Sequence, residues 1–393
     1  MTIRLLRFPF LVQKQIFEEM GLLEALSIAM LSKKSQATVR ACLRHHKYHL
    51  RYVDDQNIRV ERKLPNGNGH ILVLLLNDRT PPPVSFQLWR FGNHEVAIKS
   101  KSKESNGVIA TFTNVVSDNI SNFATEILQY LSSLRPKLSL TLGISNAEKI
   151  RRIMKSVESV EEIKKISVLR PSWNSNKSPH DELVKLVLDE CQRAKNLSVS
   201  IPTSDNFVYP ITTMPFNFDS IFMSTARWVS REHFIKMFLS CKKVQLQWKN
   251  FTDEDLTAIF KSWTEGSRLE YLELEGTFDF YRGKKLGGVF RGIPGAAPVR
   301  NAIVPGWSIP NSEVVSFGGG KCYRVQQRDG QTTALVCINY KSVILTTDFK
   351  IGKEVDDMVA RIEEEERLRR EEHFARIAER QYMGRHRLEP FFL

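Results

Sequence analysis

The sequence predicts an α+β chain: a three-helix N-terminal segment followed by a larger α/β region. Three observations carry this. Apolar residues recur at helical spacing through residues 1–50. Short alternating strands then recur with amphipathic helices between them. The end of the chain becomes one long charged helix. The 393 residues are 42% hydrophobic, enough to bury a core and to make two or three domains.

Pro9 can open the first helix, since proline is tolerated in a first turn. Val12, Ile16, Phe17 and Met20 follow as one stripe, and Gly21 punctuates the end. Leu22, Leu26, Met30 and Leu31 make a second stripe, and Val39 and Leu43 a third. Residues 51–120 read as a β-rich connecting region. Asn66-Gly67 signals a hairpin, Ile71 to Leu76 suits a buried strand, and Pro81-Pro82-Pro83 marks a loop. Val84, Phe86, Leu88 and Val96 to Ile98 continue the strand pattern, and Asn114 to Asn122 reads as polar linker. A helix then carries Phe123, Ile127, Tyr130, Leu131 and Leu134, ended by Pro136.

Residues 121–350 form the main α/β domain. With Leu138, Ile166, Leu197, Val244 and Leu272 as strand markers, the spacings are 28, 31, 47 and 28 residues. Helices lie between: Ile150, Ile153, Met154 and Val157 on one; Leu183, Leu186, Val187 and Cys191 on another, with Ser178 as N-cap and Pro179 after it. Ser230 caps a third with Phe234, Phe238 and Leu239. Thr252-x-x-Asp255 caps a fourth with Leu256, Ile259, Phe260 and Trp263. A strand-plus-helix unit of this length predicts either a leucine-rich-repeat-like solenoid or an ordinary α/β layer, since the long third interval breaks the period. Trp248 ends an alternating strand and Trp263 lies on an apolar helix face, so both are expected to be buried. Residues 283–320 are rich in Gly and Pro and read as loop, with strands at 323–325, 333–338 and 343–346 and a turn at Asp329-Gly330. Residues 351–393 form a charged helical tail, with Glu363 to Glu366 ahead of Arg367, Arg369 and Arg370.

Composition excludes several classes. No aliphatic run is long enough to cross a bilayer, and the N-terminus carries Arg4 and Arg7 inside its apolar stretch, unlike a secretory leader. Five cysteines, odd in number and without C-x-x-C spacing, argue against disulfide staples and zinc fingers and for a reducing intracellular compartment, cytoplasmic or nuclear. The net charge of +13 is spread along the whole chain, which argues against a dedicated nucleic-acid element. Phe317-Gly318-Gly319-Gly320-Lys321-Cys322 lacks the first glycine and the hydroxyl of a phosphate loop. His45, His46 and His49 fall on a predicted helix, His45 and His49 four apart on one face, but no Glu or Cys completes a metal set. No catalytic motif remains, so neither an enzyme, a cofactor nor a metal is expected.

Leu6 to Met20 resembles the start of an F-box, a pattern running L-P-x-x-(V/L)-x-x-x-I-(F/L)-x-x-(L/M), with Phe8 standing where Leu is usual. Glu24 to Lys34 resembles its later helices, although the tryptophan common after the basic pair is replaced at Ser35 and Gln36. Trp228 to His233, Cys241 to Leu246, Phe251 to Leu256, Trp263 and Leu269 to Leu274 are similar to the F-box-associated (type 2) domain of nematode F-box proteins. The resemblance implies a substrate-recruiting adaptor of an SCF-type cullin-RING ubiquitin ligase. Residues 1–50 would hold a Skp-type adaptor, and through it a cullin, by way of Phe8, Pro9, Val12, Ile16, Phe17, Leu26 and Leu31. The domain behind would hold a protein substrate, with loops 202–227 and 276–320 as the expected binding face. Three helices of this size cannot bury all their apolar residues alone, which independently implies a partner. The alternative reading is a basic module that binds protein or nucleic acid without any ligase.

Overall fold

In the computed structural model, three short helices open the chain: α1 (Phe10–Glu19), α2 (Leu22–Ala29) and α3 (Lys33–Leu43). The structure describes residues 5–43, 47–53, 57–63, 69–77, 86–91, 93–105, 108–117, 119–133, 137–143, 147–169, 180–211, 214–277, 286–304, 315–316, 322–338 and 342–386. Asn66-Gly67, Pro81 to Pro83, Leu134, Pro136, Ser178, Pro179, His45, His46 and Phe317 to Lys321 lie outside the described residues. Pro9 stands at the N-cap of α1, and Gly21 at the N-cap of α2.

The chain divides into two units. The first comprises residues 1–230 and 236–247, so the N-terminal helices share it with the strands behind them. Its strands are β1 (Lys47–Val53), β2 (Asn57–Lys63), β3 (Gly69–Asn77), β4 (Gln87–Phe91), β5 (His94–Ser105) and β6 (Val108–Val116). After α4 (Ile120–Ser132) come β7 (Lys137–Gly143), α5 (Ala147–Ser156), β8 (Glu162–Leu169), α6 (Asp181–Glu190), β9 (Ala194–Ser200), β10 (Ser220–Met223) and β11 (Lys243–Gln247). They form a sheet in the order β4-β5-β6-β3-β2-β1-β7-β8-β9-β10-β11. From β1 through β7 to β11 every pairing is parallel. Successive side chains on a strand point to opposite faces. Leu50, Leu140, Ile166, Leu197, Ile221 and Val244 are all buried and stand opposite one another in adjacent strands, apart from the two-residue offset of Leu50, which faces Leu138, from Leu140, which faces Tyr52. The helices contribute the matching apolar stripes: Phe123, Ile127 and Leu131 on α4; Ile150 and Ile153 on α5; Leu183 and Val187 on α6.

Four sequence expectations change here. The 47-residue interval holds an additional strand, β10: Leu197 to Ile221 is 24 residues and Ile221 to Val244 is 23, which restores a regular succession. Only Ser220 to Met223 is strand, too short for its alternation to stand out from the loop around it. Asn114 to Asn122 is not linker throughout, because β6 runs to Val116 and α4 begins at Ile120, capped by Asn119, whose Oδ1 accepts from the Asn122 amide. His49 lies on β1 and not on a helix, since α3 stops at Leu43. Helix α6 starts at Asp181 with His180 at its N-cap.

The second unit comprises residues 231–235 and 248–393. It contains α7 (Arg231–His233), α8 (Asp253–Thr264), β12 (Tyr271–Glu275), α9 (Leu286–Val289), β13 (Ala297–Val299), β14 (Ile303–Val304), β15 (Val315–Ser316), β16 (Cys322–Gln326), β17 (Thr333–Ile338), β18 (Ser342–Thr346) and α10 (Lys353–His386). The order β13-β16-β17-β18-β12 is antiparallel throughout. The Thr252 capping box is present: the Asp255 amide donates to Thr252 Oγ1 at 3.1 Å and the Thr252 amide to Asp255 Oδ2 at 3.2 Å. Residues 283–320 are not uniformly loop, since α9 and three short strands lie among their described residues. The reason is one aromatic: Phe290 is buried, stacked 5.3 Å from Phe260 and 4.8 Å from Tyr323, and pins the segment. Gly330 takes φ +71 in the β16–β17 turn, a backbone that favours glycine. Helix α10 is laced by Arg367, which bridges Glu364 and Glu371. All five cysteines are free and buried, with Cys322 directly opposite Cys337 and their sulfurs 2.9 Å apart.

Candidate partner-binding surfaces

Helix α1 divides its side chains between two environments. Gln13 and Phe17 turn inward and are buried. Gln13 Nε2 donates to the Phe8 carbonyl at 2.7 Å, fixing the entry of the chain into the helix. Outward stand Phe8, Phe10, Leu11 and Val12, all exposed, Leu11 at 76%. Leu31, just after α2, is also exposed, at 61%. Such a concentration of large apolar side chains in water marks an interaction surface.

The residues singled out from sequence therefore separate. Phe8, Pro9, Val12 and Leu31 are exposed, and Ile16 is half-buried. Phe17 and Leu26 are buried. The helical period could not distinguish them, because a stripe is apolar whether it meets a core or a partner. Phe10 and Leu11 were missed; their position one and two residues after Pro9, at the solvent-facing start of the helix, is the signal that locates them.

Leu26 packs on the sheet, and Phe17 is buried on the inner side of α1, which packs against α3. Leu22, Ala25, Leu26, Val39 and Leu43 enclose, with Val60, Leu72, Tyr130 and Leu131, an apolar cavity of about 20 Å³. Arg62, buried on β2, donates to three carbonyls at the end of α1: Phe17 at 3.4 Å, Glu18 at 3.1 Å and Met20 at 3.2 Å. These are the carbonyls a helix leaves without intrahelical donors, at its negative end. Burial lowers the Arg62 pKa, opposed by Tyr48 and Glu18 beside it. Burial in turn raises the Tyr48 phenol to about 12.

The other face of the same sheet carries no row of buried aliphatics. One rung crosses ten strands. It begins Lys101, Phe112, Val73, Arg59, Arg51, each directly opposite the next. It continues Ser139, Lys165, Asn196, Ser220, Lys243. Lys101, Phe112, Arg59, Arg51 and Lys165 are exposed. The carboxylates near it are engaged: Glu61 pairs with Arg59 at 2.6 Å, and Glu162 with Lys195 at 3.0 Å and Lys137 at 3.7 Å, hydrogen bonds that lower the Glu162 pKa.

Two further exposed features were expected otherwise or not at all. Trp248 is half exposed, at 50%, and not buried as its place in the sequence predicts. The alternation of Val244 and Leu246 would carry it inward, but its φ of +58 is left-handed and breaks the strand before it. The segment after it is rigid: the Lys249 amide donates to Glu275 at 2.9 Å, Asn250 Nδ2 to Thr277 Oγ1 at 2.8 Å, and the Thr277 amide back to Asn250 Oδ1 at 2.9 Å. Lys249 Nζ sits 4.5 Å from the centre of the Phe251 ring, and burial lowers its pKa. In the first unit, the loop between β9 and β10 is anchored by Tyr209, whose hydroxyl donates to Asp189 at 2.7 Å, and by the Ser204 amide, which donates to Asp181 at 2.8 Å. Buried Phe207 and Tyr209 flank Val208, which is exposed.

Residues 210–274 match the protein-family model described as F-box associated. This F-box-associated segment runs from the loop before β10 through β12, and includes Trp248, Lys249, the Thr252 cap and Trp263. It contains the residues from Trp228 to Leu274 on which the sequence resemblance rests. No curated protein matches the chain. Among the described residues no group of three or more His, Cys, Asp or Glu is placed to hold a metal, and no helix is long and apolar enough to cross a membrane.

Proposed function

We propose that this chain is a substrate-recruiting adaptor of an SCF-type ubiquitin ligase, with α1 to α3 as the F-box that holds a Skp-type adaptor and the remainder as the substrate-holding part. One observation carries the reading: a chain with an F-box-associated segment also presents, at its N-terminal helices, the apolar group Phe8, Phe10, Leu11, Val12 and Leu31 in water. Family and surface support the same role from separate parts of the sequence. Phe8, Pro9, Val12 and Leu31 are the adaptor contacts, together with Phe10 and Leu11. Phe17 and Leu26 support them from beneath, and half-buried Ile16 stands at the margin. The chain supplies no chemistry. It raises the concentration of substrate beside the conjugating enzyme.

The test is titration of the full chain with a Skp-type adaptor, beside the double variant Leu11→Asp/Val12→Asp. A carboxylate buried unpaired in an apolar contact is costly, whereas in water it is not. Binding is expected to weaken at least about a hundredfold, or about 2.7 kcal/mol. The melting temperature should hold, because both side chains are exposed in the free protein. A wild-type chain that shows no adaptor binding at micromolar concentrations overturns the reading.

A further inference from the structure

The surface that would receive the substrate can be assigned a chemistry. In the first unit the helices cover one face of the sheet, and the opposite face lies open at Arg51, Arg59, Lys101, Phe112, Lys137 and Lys165, all exposed. An antiparallel sheet, as most of β4 to β1 is, commonly leaves one face to water, but a parallel one, as β1 to β11 is, ordinarily has both faces covered. An uncovered face of this width is therefore a surface available for binding. Its charge is one-sided. Lys101, Arg59, Arg51, Lys165 and Lys243 lie on the rung described above, and Lys99, Lys103 and Lys137 on the rungs beside it. Against these eight cations stand two carboxylates on the three rungs, Glu61, which pairs with Arg59, and Glu162, which pairs with Lys137 and Lys195, so cations remain in clear excess. Solubility alone would be met by charges of either sign. Like charges held a few ångströms apart repel, as Arg51 and Arg59 must when directly opposite in β1 and β2.

We infer that this open face docks an extended, acidic polypeptide segment, which under the adaptor reading belongs to the substrate. Strands stand about 4.8 Å apart, so the rung of ten is about 43 Å long, the span of about thirteen extended residues. Its cations fall on the first, fourth, fifth, seventh and tenth strands of the rung. Steps of two or three strands are about 10–14 Å, which matches carboxylates placed three or four residues apart on the ligand. Between the cations of the first and fourth strands, exposed Phe112 supplies an apolar contact for a side chain that alternates with the acids. Nucleic acid fits this face less well. Its aromatic rings on these rungs, Phe112 and Phe222, stand on β6 and β10 with six strands between them, whereas strand binding without base readout relies on successive stacking platforms.

The experiment uses the full chain and fluorescence anisotropy with three labelled probes: a peptide of about thirteen residues with glutamate at every third or fourth position, the same peptide with each glutamate replaced by glutamine, and a single-stranded RNA of mixed sequence and similar length. The glutamate peptide should bind, more weakly as salt rises, and the glutamine peptide at least about tenfold less well. Arg51→Glu/Lys165→Glu should reduce binding of the glutamate peptide at least about tenfold without changing the melting temperature or the affinity for a Skp-type adaptor. Equal binding of the two peptides, tighter binding of the RNA, no effect of the charge reversal, or no binding of the glutamate peptide at about 100 micromolar would each overturn the inference. A chain that binds the adaptor but not the acidic peptide sinks this inference alone. One that binds the peptide but no adaptor sinks the ligase reading and leaves the acidic-segment site standing.

Discussion

Trp263→Ala is expected to destabilise the protein by about 3–5 kcal/mol, the cost of removing a large aromatic from a packed core. Trp263 is wholly buried, and its indole nitrogen donates to the Leu269 carbonyl at 2.9 Å. The truncation therefore leaves both a cavity and a buried acceptor without its donor. Trp263→Phe should recover most of the volume and not the hydrogen bond, and fall between the two. Trp248 supplies the contrast. It is half exposed on a left-handed backbone, so Trp248→Gly removes less packing than Trp263→Ala does, and relieves strain of about 1–2 kcal/mol. Denaturant midpoints of the three variants beside wild type decide the matter. Equal destabilisation by Trp263→Ala and Trp248→Gly would show that the two tryptophans are not in different environments.

Arg62→Met should cost about 3–5 kcal/mol, comparable to breaking a buried charged pair. The methionine keeps much of the side-chain volume but withdraws the donors from the Phe17, Glu18 and Met20 carbonyls. Each charge-assisted bond is worth about 1.5–3 kcal/mol, with partial recovery where α1 frays and water reaches its end. Arg62→Lys should restore only part of the loss. A single ammonium cannot present the planar fork by which the guanidinium reaches several carbonyls at once. Hydrogen exchange should show the effect first at the amides of α1, before the strands of the sheet. Unchanged exchange there would mean that Arg62 does not tie α1 to β2.

The elements whose signals are local were legible in the residues themselves. The Thr252 capping box, the stripe of α8, the Gly330 turn and the charge pattern of α10 each follow from side chains within one or two helical turns. So does the succession of strands from Leu138 to Leu272, because an apolar alternation bounded by turns reads the same in isolation as in a sheet. The strand β10 was not legible. Four residues carry too little alternation, and its pairing with β9 and β11 depends on chain more than twenty residues away on either side. Trp248 was misplaced for a related reason: one left-handed residue ends the alternation, and nothing in the residue type announces it.

The candidate surfaces divide in the same way. The sequence by itself determined that α1 to α3 carry more apolar surface than three short helices can bury, and that stretches from Trp228 to Leu274 resemble an F-box-associated domain. Which of those apolar residues meet water was decided only by tertiary structure. Leu26 is consumed by packing on β2, β3 and α4 and Phe17 by burial on the inner side of α1, while Phe8, Phe10, Leu11, Val12 and Leu31 are left outside. The basic rung was also invisible in one dimension. Arg51, Arg59, Lys101, Lys165 and Lys243 are scattered over nearly two hundred residues and look like a diffuse net charge. Strand register brings them onto one face, because hydrogen-bonded pairing aligns residues by parity and not by distance along the chain.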